Sequence, residues 1–336
     1  MKVVYSLVII FLIFSFPQSC SRNNIKSKNL EKIRIILDTD ANNELDDQHA
    51  IAYMLFNSHI FDVEGMTVNR TYNGGSIDKH YEEAKRVVKL CSLESQIVIY
   101  KGASGTYEEI KDHINKPKFD GSEAVNFIIE RAKSKDNREL VLLPVGKLTN
   151  IALALKKAPE IVSKVRVVWL GSNFPEYGEY NFVNDTTALD PIYNSGVQFE
   201  IVTVRYDKET GTDAVVAYLK DFQEKMPGKG PHITDPVIGR HGSEFTNFGD
   251  YSVDLFEKFR GSPDSRPLYD MAAVAVLKNP EWAEKDTIGA PKFENKKWIE
   301  QPDNPRKVIL WENFDKVSIM QDFYNSMNNY HLSNTE

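Results

Sequence analysis

The sequence predicts an α/β fold built on an open, mostly parallel sheet flanked by helices. Three observations carry this prediction. Short apolar runs of strand length alternate about seven times with helix-length segments of mixed polarity, joined by short links. That rhythm is the pattern of strand–helix–strand units with a parallel sheet. The 336 residues, 41% of them hydrophobic, can bury one large core or two small ones, and no linker divides the chain cleanly. One domain is therefore expected over residues 32–327.

The elements follow in order. Residues 33–37, Ile-Arg-Ile-Ile-Leu, read as a buried strand, and helical spacing resumes over 45–57. A strand over 63–68 leads into an Asn/Gly-rich loop at 69–75, a charged amphipathic helix over 77–91 and a short strand at 96–100. Gly102, Gly105 and Pro117 mark 101–120 as a long surface loop. Then come a helix over 122–134, a strand over 139–144, a helix over 146–157 and a strand over 165–170. A loop over 171–182, a helix over 186–195 and a strand over 199–204 continue the alternation. The Pro/Gly-rich stretch 222–252 breaks it, as a lid or an irregular insertion. A helix over 268–278, a strand over 307–311 and a helix over 313–327 close the chain.

The first strand runs into the densest acidic stretch. Asp38, Asp40, Glu44, Asp46 and Asp47 fall within ten residues. Capping of the following helix accounts for Asp46 or Asp47. It does not account for Asp38 and Asp40, at the strand end. Two like charges about 4 Å apart repel by roughly 4 kcal/mol at an effective dielectric near 20, so such a cluster wants a cation or a shared proton. All-oxygen ligands point to a hard ion, Ca²⁺ or Mg²⁺.

Net charge is −7, spread along the chain, which disfavours a nucleic-acid partner. Residues 1–19 read as an export signal: Lys2, then a largely apolar run of fourteen residues over 3–16, then Ser19-Cys20. The run is shorter than the ~20 residues a spanning helix needs; a membrane anchor is the alternative. Cys20 and the polar segment after it resemble the start of a bacterial lipoprotein, although Pro17 stands where an aliphatic residue is usual. A lipid on Cys20 and a flexible tether over 20–31 would then hold the protein in a bacterial envelope. Cys91 would be left without a disulfide partner, at a position that suits a buried helix face.

Asp38-Thr39-Asp40 followed by Asp46-Asp47, just after a first strand, resembles the signature Asp-Thr-Asp-Pro-Gly-x-Asp-Asp of the calcium-dependent nucleoside hydrolases of the inosine/uridine-preferring type. Ala41-Asn42 replace Pro-Gly, and the spacer is two residues longer. Three further segments resemble the family, in the right order. Val145-Gly146-Lys147-Leu148-Thr149-Asn150, alone a plain strand-to-helix turn, is similar to a Gly-x-Leu-Thr-Asn segment preceded by a carbonyl ligand, which maps to Val145. Glu179-Tyr180-Asn181-Phe182, alone a polar loop, resembles the family's sugar-binding Glu-x-Asn-Phe. Tyr269-Asp270, alone a helix cap, resembles its late His-Asp motif, with Tyr in place of His.

The resemblance implies a Rossmann-like sheet of the nucleoside hydrolase type and hydrolysis of the N-glycosidic bond of ribonucleosides with a water held by Ca²⁺. It implies Asp40, Asp47, the Val145 carbonyl and Asp270 as metal ligands, with Asp38 behind them. Asp40 is also the base, and Asp46, Glu179 and Asn181 hold the sugar. Asn173 and Asn73 (or Asn69) are further sugar contacts. Tyr269 is the candidate leaving-group donor, with His232 or His241 as a second source in the base pocket. The expected partner is a small nucleoside, with the membrane reached only through the lipid; self-association is left open. Two rivals stand beside this reading. One is a surface lipoprotein that binds nucleosides or sugars with Ca²⁺ but does not cleave them. The other is a metal-dependent phosphohydrolase of the Asp-x-Asp type.

Overall fold

Asp38 lies at the carboxyl end of an interior strand of an eight-stranded sheet, between two parallel neighbours. The computed structural model describes Met1 and residues 31–333. The signal segment over 1–19, Cys20 and the tether up to residue 30 lie outside the described residues. From Lys32 onward the described residues form one compact unit.

The sheet strands are β1 (Ile33–Thr39), β2 (Phe61–Val68), β3 (Ile99–Lys101), β4 (Leu140–Pro144), β5 (Val165–Leu170), β6 (Gln198–Val202), and two late strands, β11 (Glu284–Gly289) and β14 (Lys307–Glu312). Between them fall three two-stranded ribbons: β7 (Val216–Tyr218) with β10 (Ser265–Pro267), β8 (Val237–Ile238) with β9 (Glu244–Phe245), and β12 (Lys292–Glu294) with β13 (Lys297–Ile299). The sheet order is β11-β14-β6-β5-β4-β1-β2-β3, parallel throughout except β11. The expectation of a large, mostly parallel sheet holds. Its strands read as continuous apolar runs because both faces are covered.

On one face pack α1 (Asp46–Leu55), α2 (Ile77–Leu90), α8 (Leu219–Lys225), α9 (Phe248–Glu257), α10 (Tyr269–Lys278) and α11 (Lys316–Asn328). On the other lie α3 (Tyr107–Ile110), α4 (Ser122–Lys133), α5 (Thr149–Lys157) and α7 (Leu189–Ser195), with the short α6 (Tyr180–Asn184) near the strand ends. Alternate residues of β1 serve the two cores: Ile35 and Leu37 one, Ile36 the other.

Several expectations are corrected. The 101–120 loop contains α3, closed by a capping box between Thr106 and Glu109, and it buries Ile110 and Ile114 in the core. The 171–182 loop ends inside α6, nucleated by Glu179 at its N-cap. The 222–252 stretch is not irregular throughout: it holds the β8–β9 hairpin and much of α9. β11 escapes a sequence reading because residues 284–287 are exposed and Glu284, Lys285 and Asp286 are charged, as an edge strand's residues often are. The chain also packs beyond 327, where His331 bridges to Asn57. No helix among the described residues is long and apolar enough to cross a membrane.

Candidate active site

The site lies beyond the carboxyl ends of β1, β4 and β5, where open parallel sheets bind ligands. Register sets its floor. Asp38 is opposite Thr67 of β2 and Pro144 of β4. Its carboxylate accepts from Thr67 Oγ1 at 2.6 Å, Asn69 Nδ2 at 3.0 Å and Asn150 Nδ2 at 2.7 Å. Asp38 is thus wholly enclosed by this chain. Burial pushes it up to about 6 against those three donors.

Two residues on, Asp40 accepts from Thr71 Oγ1. Burial, then the charges of Asp38 and Glu179, lift it to about 7. Gly146 makes room for it: a Cβ there would lie 3.0 Å from Asp40 Oδ1 and 2.7 Å from Asn69 Nδ2.

Helices α1 and α10 pack together through buried small residues, among them Ala50, Ala272 and Ala273. That packing joins Asp46 and Asp47, in the first turn of α1, to Asp270, in the first turn of α10. Their carboxylate oxygens come within 4.8 Å of one another. Neither helix start carries a side-chain cap, and the N-cap positions are Leu45 and Leu268. Capping therefore does not account for these acids. Asp47 also accepts from Thr39 Oγ1. Burial and mutual repulsion lift Asp46 to about 7 and hold Asp47 and Asp270 well above the carboxylate range. Four buried acids side by side without a counterion are costly as anions; the donor set fits a hard divalent cation. Asn43 Oδ1 and Asn69 Oδ1 are buried without a partner, further acceptor capacity at the same place.

Asp46, Asp47 and Asp270 line a cavity of about 210 Å³; Asp40 is not among its lining residues. Its lining includes the predicted Asp46, Asp47, Val145, Glu179, Asn181, Tyr269 and Asp270. Glu179 accepts the N–H groups of Ser172, Asn181 and Phe182, and burial lifts it to about 7. Asn181 Nδ2 donates to the Val145 carbonyl at 3.0 Å and the Leu170 carbonyl at 3.1 Å, which leaves its Oδ1 free of these bonds. Asp46, expected to hold sugar, sits in the carboxylate group itself.

Other predicted residues are elsewhere. Asn73 is exposed, and only its backbone N–H reaches the site, donating to Tyr180. Asn69 is turned to Asp38. Asn173 lies outside the cavity lining; its Oδ1 accepts the Tyr206 N–H at 2.7 Å and so steadies a lining residue. Tyr269 gives its hydroxyl hydrogen to Asp213 at 2.7 Å, and burial with that partner pushes the phenol far up, away from acid duty. His232 is exposed, and His241 Nδ1 donates to Asp254 at 2.9 Å; neither lines the cavity.

Sequence reasoning missed Thr71, Tyr206 and Arg266. Arg266 Nη2 donates to Glu44, and Arg240 donates to the Glu44 carbonyl at 2.7 Å, so the lengthened first loop is tied down from two sides. An isolated Arg four residues before Asp270 carries no periodic signal. Only the surplus of acid nearby hinted at a cation.

A family model described as inosine-uridine preferring nucleoside hydrolase matches residues 35–316. The pyrimidine-specific ribonucleoside hydrolase RihB of Escherichia coli O17:K52:H18 is 26% identical over 277 residues, covering 75% of this chain and 80% of that protein. RihB of Shigella sonnei is 27% identical over the same shares. Among solved structures, the plant nucleoside hydrolase PpNRh1 superposes with a TM-score of 0.69 at 18% identity, over 89% of this chain and 99% of that one. A purine-preferring ribonucleoside hydrolase from Gardnerella vaginalis does so with 0.65 at 21%, over 88% and 98%. At these identities the structures speak for the fold.

Proposed function

This chain belongs to the inosine-uridine preferring nucleoside hydrolase family, enzymes that hydrolyse the N-glycosidic bond of ribonucleosides, and from that premise we propose how its residues divide the work. The observation that carries the reading is the joining of Asp46, Asp47 and Asp270 beside Asp40 in a cavity also lined by Glu179 and Asn181.

The ion proposed is Ca²⁺, held by Asp47, Asp270, Asp40 and the Val145 carbonyl, with Asp46 within reach. When bound, it offsets the charge of the acids, acidifies a nearby water and orients the sugar hydroxyls. Asp40 takes the proton of the attacking water. Thr71 fixes its orientation. Glu179, braced by three N–H donors, accepts from ribose hydroxyls, joined by Asn181 through Oδ1. The C1′–N bond breaks through an oxocarbenium-like state with water arriving on the opposite face, as in inverting glycoside hydrolysis. The buried strand-end setting keeps these groups in place before substrate arrives.

Export by residues 1–19 and lipid attachment at Cys20 remain part of the proposal, supported by the charge and apolar pattern of that segment. Incorporation of labelled fatty acid into wild type, and its loss in Cys20→Ala, is the check on that part.

The central test is release of free base and reducing sugar from a panel of ribonucleosides, before and after chelation. Turnover that stops on chelation and returns with Ca²⁺ is expected. Ca²⁺-dependent binding without turnover would favour a receptor instead, and turnover untouched by thorough chelation would overturn the metal assignment.

A further inference from the structure

Breaking C1′–N leaves an electron pair on the base nitrogen, which needs a proton or a positive charge. The groups expected to supply one are committed elsewhere. Tyr269 donates to Asp213, His241 is tied to Asp254, and His232 is exposed and lies outside the cavity lining. Among the described residues lining the cavity, Arg266 is the one cation.

Arg266 is held in place. Its Nη2 donates to Glu44, its guanidinium stacks over the Phe259 ring at 4.4 Å from the centroid, and its Nε is buried with no partner. A planar donor fixed on two sides with one N–H unspent is pre-organised for a further acceptor.

We propose that Arg266 receives the departing base, its guanidinium donating to the base atom on which the electron pair of the broken C1′–N bond comes to rest. The proposal rests on the hydrolase reading above. Guanidinium does not give up its proton in proteins, so it acts as charge and hydrogen-bond donor rather than as acid. With uridine, the C1′–N bond breaks and its pair stays on the base, delocalised onto the carbonyl oxygen beside that nitrogen, where Arg266 donates. The water oxygen bonds to C1′ and its proton goes to Asp40. The base anion takes a proton from solvent after release. Glu44, which lines the same cavity, is the positioning residue that orients the guanidinium.

The test compares two substrates in wild type and Arg266→Gln: uridine, and 4-nitrophenyl β-D-riboside, whose leaving group departs without help. Removal of one pre-organised donor lowers kcat by about 10²–10³. We expect a loss of about 100-fold in kcat/KM on uridine and less than about threefold on the nitrophenyl riboside. Should Arg266→Gln prove unstable by melting temperature, Arg266→Lys, which keeps the charge and loses the fork, is read the same way. Equal losses on both substrates, or an unchanged uridine rate, overturn the role of Arg266 while leaving the hydrolase reading intact. A wild type inert to every riboside overturns the hydrolase reading, and this proposal with it.

Discussion

Arg266 donates a charge-assisted hydrogen bond to Glu44 across 222 residues of sequence, joining the lengthened first loop to the segment that carries Asp270. The two side chains are 22% and 33% exposed, so as a stabilising pair they contribute about 0–1 kcal/mol. Their value is geometric. Glu44→Gln should barely move the melting temperature yet lower kcat/KM on uridine by about tenfold, with the nitrophenyl riboside little affected. A parallel fall on both substrates would show that the pair shapes the sugar site instead.

Asp40→Asn keeps shape and hydrogen-bonding capacity but removes the base. General-base loss costs about 10²–10⁴-fold, and kcat should fall by that much with an unchanged circular dichroism spectrum. Full turnover in this variant would remove Asp40 from the mechanism.

Tyr269→Phe separates sequence resemblance from structure. The phenol's proton is given to Asp213 and its ionisation is pushed far up. The expected effect on kcat is therefore less than about tenfold, with no change in the pH–rate profile. Loss of a basic limb in that profile would restore Tyr269 as an acid.

Ca²⁺ should stabilise the protein more as pH rises. Without the ion, burial lifts Asp40, Asp46 and Glu179 to about 7, so the folded state holds protons that the unfolded chain has released. Their contribution to stability is full below the unfolded values of 3.8 and 4.5 and is lost as pH rises through about 7. Cation binding replaces those protons. Melting curves with chelator and with Ca²⁺ should diverge by several degrees more near pH 7.5 than near pH 5.5. A gap that narrows with rising pH contradicts the site.

Gly146→Ala tests the close approach beside Asp40. A methyl there meets Asn69 at 2.7 Å and Asp40 at 3.0 Å in a buried setting. Displacing the base by a fraction of an ångström should lower kcat by at least about tenfold. An unaffected kcat would show that Asn69 and Asp40 can give way.

The alternation of strand and helix, the acidic loop after β1 and the Glu179–Asn181 segment were legible in sequence. Their signals are local: an apolar period, a charge density too high to be idle, a short motif. Asp38 and Asp40 stood out for that reason, while Asp47 was singled out by resemblance. The partnership of Asp270 with Asp46 and Asp47 needed the packing of α1 on α10; resemblance anticipated Asp270 with Asp47 and assigned Asp46 to the sugar. The proton of Tyr269, the outward turn of Asn73, the Tyr206 contact of Asn173 and the fixing of Arg266 by Glu44 and Phe259 were decided only in three dimensions. Each depends on which distant side chain reaches a given donor or acceptor first, and no spacing along the chain encodes that competition.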